Sequence, residues 1–106
     1  MLKERSILDL LEHLRIKYGQ DSFVIQDHWE GDRCAIGLVG VNGRFLLYVN
    51  TFRRPPHKFH LEVEIVESSH RSELVERFES ASLDQVEQLF ERYLGSSTGK
   101  ADRSSS

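Results

Sequence analysis

"AIGLVGVNGRFLLYVN", residues 35–50, decides how this chain folds. Two apolar runs flank Asn42-Gly43, a pair that favours the tight type I′ turn because both positions need positive φ. Read as a two-residue hairpin, the stretch pairs Ile36 with Val49, Gly37 with Tyr48 and Leu38 with Leu47. Ile36, Leu38, Leu47 and Val49 then share one face, with Phe45 beside them.

Working outward, FVIQDHW (23–29) precedes Glu30-Gly31, a second two-residue turn. That turn predicts Ile25 opposite Ile36 and Phe23 opposite Leu38, which puts Phe23 and Ile25 on the same inner face. Downstream, KFHLEVEIV (58–66) alternates Phe59, Leu61, Val63 and Ile65 inward with His60, Glu62 and Glu64 outward. Arg53-Arg54-Pro55-Pro56 must be the connection, since two prolines cannot sit inside a central strand. SSHRSELVERFES (68–80) supports two readings, a short edge strand or a packed loop.

The flanks change period. Ile7, Leu10, Leu11, Leu14 and Tyr18 form a helical stripe within residues 3–18, which Gly19 stops. Val86, Leu89, Phe90 and Tyr93 form another over 83–94, with Ser82 and Gln85 spaced as a capping box and Gly95 as the stop. The expected fold class is α+β: αββββα, a four-stranded antiparallel meander with two helices packed on one face. Residues 1–95 are expected to form one globular domain, and the Ser/Gly-rich segment 96–106 a disordered tail.

Charge and composition narrow the function. A net charge of −3 argues against nucleic acid as a partner, because such binding rests on Lys and Arg neutralising phosphates. No apolar run approaches the roughly 20 residues of a membrane-spanning helix, and charges in MLKERSILDL break any secretion-signal core. With Cys34 as the only cysteine, a reducing, cytoplasmic setting is expected.

DHWEGDRC (27–34) concentrates reactive residue types. A Cys34–His28 nucleophile pair would need both side chains on one face. The hairpin register instead puts Cys34 inward, opposite Asp27 and below Ile36, and His28 outward beside Arg33. The stretch therefore reads as a hairpin tip, with no catalytic residue expected. His57 and His60, three apart on a strand, face opposite ways. His60, Glu62 and Glu64 share a face that His28 could reach, but alternating polar residues also mark any solvated strand. No metal or cofactor is expected, and no nucleotide, zinc-protease or nucleophile-elbow motif occurs.

The outer face carries more information. Val24, Val39, Leu46 and Tyr48 all fall on it, over the small residues Ala35 and Gly37, with Phe52 near the rim. Such a face is normally polar when the helices lie on the other side. An apolar strip bordered by His28, Asn50, His60 and Glu62 has the make-up of an interaction site. The alternative is that residues 66–80 fold back over part of it. The expected partner is another protein or a second copy of this chain.

FVIQDHWEGDRCAIGLVG, followed by RFLLYVNTF and FHLEVEI, resembles small bacterial proteins of the toxin-immunity type. The similarity spans residues 23–65 and brings no catalytic motif. It implies stoichiometric inhibition of a toxin, with an acidic chain suiting a basic partner. The competing expectations are a homodimeric structural or adaptor domain and, behind it, a small-ligand or metal-binding domain.

Overall fold

Residues Arg5–Tyr18 form helix α1, which buries Ile7, Leu10, Leu11 and Leu14 as the stripe predicts. It starts two residues later than the sequence pattern, because Glu4 is extended and its N–H donates to the Arg33 carbonyl at 2.8 Å. Gly19 ends it with φ of 112°, and its N–H returns to the Arg15 carbonyl at 2.9 Å. That backbone region favours glycine because a side chain would crowd the chain there. The computed structural model describes residues 3–26, 31–41, 43–52, 55, 57–68 and 71–95. The turn residues Glu30 and Asn42 and the segment 96–106 lie outside that set.

Five strands follow, β1 (Phe23–Gln26), β2 (Ala35–Gly40), β3 (Phe45–Asn50), β4 (Phe59–Ser68) and β5 (Arg71–Ala81). They form an antiparallel sheet in the order β1-β2-β3-β4-β5. The sheet thus has one strand more than the four expected. β5 comes from the segment that the sequence left open, and it lies beside β4 rather than folding back over the sheet.

The central hairpin has the expected register, with Ile36 opposite Val49, Gly37 opposite Tyr48 and Leu38 opposite Leu47. Gly43 has φ of 69° and its N–H donates to the Gly40 carbonyl at 2.9 Å, one residue earlier than the closing bond of a turn centred on Asn42-Gly43. The first hairpin is offset by two residues from the expectation. Ile25 faces Leu38 rather than Ile36, and Phe23 faces Gly40 rather than Leu38. Among the described residues, the pairing of β1 with β2 runs from Phe23 opposite Gly40 to Gln26 opposite Gly37. Just before β2, Asp32 accepts from the Cys34 N–H through Oδ1 at 2.9 Å. An even offset keeps both faces, so Phe23 and Ile25 still pack on the core.

Helix α2 (Leu83–Leu89) begins at the capping box. The Ser82 hydroxyl accepts from the Gln85 N–H at 3.3 Å, and the Gln85 carboxamide accepts from the Ser82 N–H at 2.9 Å. It continues as a π-helical turn, Phe90–Leu94, so the expected single helix over 83–94 changes character at Phe90. The widened turn shifts the helical phase, so that Leu94 is buried while Tyr93 is only partly covered and packs against Phe45.

Both helices lie on the inner face. Leu10, Leu14, Leu89 and Phe90 cover Ile36, Leu38, Leu47, Val49, Leu61 and Val63 in one continuous core. The helices are also clasped to each other. Glu87 receives Lys17 Nζ at 2.9 Å and His13 Nε2 at 2.5 Å, while the Tyr18 hydroxyl donates to Glu91 at 2.5 Å. Burial, and then the Glu91 carboxylate, push the Tyr18 phenol above its usual range.

Candidate functional site

The strand registers assemble the outer face row by row. One row runs Val24, Val39, Leu46, Glu64 and Leu74 from β1 to β5. The next runs Gln26, Gly37, Tyr48, Glu62 and Arg77, and a third joins Ala35, Asn50 and His60. On the other side of the first row, Val66 of β4 stands opposite Ser72. The face is therefore divided, aliphatic towards the Gly43 turn and polar towards Asn50 and His60.

Exposure sharpens that division. Val24 is 63% exposed, Leu74 49% and Val66 36%, all on this face. Val41 and Phe52, just beyond the ends of β2 and β3, are exposed as well. The sequence-predicted strip is present but unevenly accessible. Val39 and Tyr48 are half-buried, and Leu46 is only 6% exposed between its neighbours. Leu74 was missed because residues 68–80 were left open between an edge strand and a packed loop, and Val66 because the outward residues of β4 were read only as far as Glu64.

The polar half is internally bonded. Asn50 Nδ2 donates to the Tyr48 hydroxyl at 2.8 Å, and Asn50 Oδ1 accepts from the Phe52 N–H at 2.7 Å. His60 Nε2 lies 2.8 Å from Glu62 Oε2, and the His60 ring meets Tyr48 edge-on at 6.2 Å. The Tyr48 ring stands opposite Gly37, where the missing side chain leaves room for it. Of the expected site residues, the structure thus brings Val24, Val39, Leu46, Tyr48, Asn50, His60 and Glu62 onto one face. His28 lies outside the described residues, as do Asp27 and Trp29 of the hairpin tip.

The expected inward burial of Cys34 is not what the structure has. Cys34 precedes β2 and is half-buried, and its carbonyl accepts from the Thr51 N–H at 2.9 Å. Among the described residues, no three of His, Cys, Asp and Glu converge as metal ligands. A groove of about 540 Å³ opens between the end of α1 and Leu94. Its Lys17 and Tyr18 side chains are already engaged by Glu87 and Glu91.

The sheet edges are poor docking points. β1 is only four residues long. β5 is long, but Val75 is an extra residue between the pairs Val63–Glu76 and Glu64–Leu74. Such a bulge, together with the exposed charges of Glu73, Arg77 and Glu79, blunts an edge against strand addition.

No family model matches the chain, and no curated protein or solved structure matches it either. Among the described residues, no helix is long and apolar enough to cross a membrane.

Proposed function

We propose that this chain is a non-enzymatic protein-binding domain whose outer sheet face is the contact surface. The observation that carries the reading is the exposure of Val24 on β1 and of Val66 and Leu74 on β4 and β5, all on the one sheet face that neither helix covers. Water-exposed aliphatic groups in one patch favour association, because covering them releases the cost of hydrating them. A broad, gently relieved sheet face suits stoichiometric contact, whereas catalysis calls for a concave site with convergent polar groups. In its specific form the domain is an immunity-type inhibitor that occupies a bacterial toxin.

The experiment uses the purified protein and the product of any toxin gene adjacent to its own. Leu74→Asp or Tyr48→Ala should weaken binding by about 2 kcal/mol, roughly thirtyfold, as loss of an interface anchor does. Ile16→Asp, on the exposed side of α1, is the control and should leave binding unchanged. Equal binding by all the variants would remove the outer face as the contact.

The second reading, a homodimeric adaptor domain, draws on the same exposed aliphatic groups. Sedimentation across a concentration series separates the two, since a homodimer would dissociate on dilution and on Leu74→Asp.

A further inference from the structure

Glu64 interrupts the most apolar row of the outer face. It stands between Leu46 on β3 and Leu74 on β5, with Val39 and Val24 further along the row. Its side chain is half-buried and forms no hydrogen bond or ion pair with any described residue. The other half-buried strand and helix carboxylates differ. Glu62 holds His60, Glu76 holds Arg92 and Tyr93, and Glu87 holds Lys17 and His13.

The position has a consequence for whatever covers this face. A partner that offered only aliphatic groups would strip water from the Glu64 carboxylate and return nothing, a penalty that opposes binding. A partner that offers a cation there gains a charge-assisted hydrogen bond in a partly dry setting, while its neighbours cover Leu46, Leu74 and Val24. Resting on the reading of the outer face as a protein contact, we propose that its occupant is a partner protein that sets an arginine or lysine on Glu64, flanked by aliphatic side chains. Arginine suits the place better than lysine, because its planar head can bond a carboxylate in two places and still stack on apolar surface. A second copy docked row on row would bring four aliphatic side chains and an acid, with no cation for Glu64.

The test presents the immobilised full-length protein with a display library of random twelve-residue peptides. Enriched peptides should carry arginine or lysine between aliphatic residues. Their affinity should fall about tenfold for Glu64→Gln, as expected when a charged partner in a contact is neutralised, and further for Glu64→Lys. Thermal melting of both variants checks that they remain folded. Enriched peptides without a cation, or peptides that bind Glu64→Gln as well as the wild type, would overturn the proposal. The outer-face reading would still stand in that case if Leu74→Asp abolished binding. If Leu74→Asp and Val24→Asp both left binding unchanged, the outer-face reading itself would fall. No enrichment over a blank surface also overturns the proposal, as does a dimer that Leu74→Asp dissolves, which would name a second copy as the occupant.

Discussion

The backbone of Gly40, at the end of β2, lies directly against Leu94 at the end of the π-helical turn. A β-carbon on Gly40 would come within 2.6 Å of the Leu94 carbonyl oxygen and 2.9 Å of its α-carbon. Both atoms are backbone, so no rotamer change relieves the contact. Gly40→Ala should therefore destabilise the fold by about 1–3 kcal/mol, the usual loss on overpacking. Urea unfolding measures it, and an unchanged midpoint would show that the helix end can move away freely.

Leu47 is fully buried at the centre of the inner face, paired with Leu38 and Val63. Leu47→Ala should cost roughly 2–5 kcal/mol, the lost transfer energy plus the cavity left behind. A loss well under 1 kcal/mol, read in the same denaturation assay, would mean that the core collapses around the gap.

The Ser82 hydroxyl satisfies a backbone N–H that has no partner within α2. Ser82→Ala should cost about 1 kcal/mol, and Ser82→Asn, which can also cap, should cost less. Comparing the two unfolding midpoints separates a capping effect from a packing effect.

Glu87 supplies a pH dependence. Hydrogen bonds from Lys17, and then from His13, hold its carboxyl below the ordinary carboxylate range. The unfolded chain therefore takes up a proton at a higher pH than the native protein does, so this group stabilises the fold above the ordinary value of 4.5. That contribution disappears as the pH falls through the lower native value. Urea titrations at pH 6, 4.5 and 3 should show a steeper acid loss for the wild type than for Glu87→Gln. Parallel losses would show that the clasp between the helices adds nothing to stability.

Elements whose local pattern is unbroken were legible in the sequence. The stripe of α1, the cap of α2 and the inner residues of β2, β3 and β4 all follow from an uninterrupted period, and Asn42-Gly43 sets the central register. β5 was not legible for a physical reason. The extra residue at Val75 resets the alternation, so Glu73 and Glu76 both face the inner side and Leu74 and Arg77 the outer. Their spacing of three imitates a helix rather than a strand. The outer face was consequently read only as far as β4, and Leu74 was missing from it. Leu46 was expected to be accessible, but Val39 and Glu64 on either side bury it.

The first hairpin has a consequence for how this protein can vary. Its register differs by two residues from the one that a Glu30-Gly31 turn would set, and the inside and outside of the sheet are the same in both arrangements. The pairing of β1 with β2 can therefore shift by two residues while Phe23 and Ile25 stay on the core. A slip of one residue in the pairing of β1 with β2 would turn both of them into water and set Val24 against the helices. Changes that let β1 slide along β2 should accordingly be tolerated in steps of two residues and not of one, whatever the length of the connection between them.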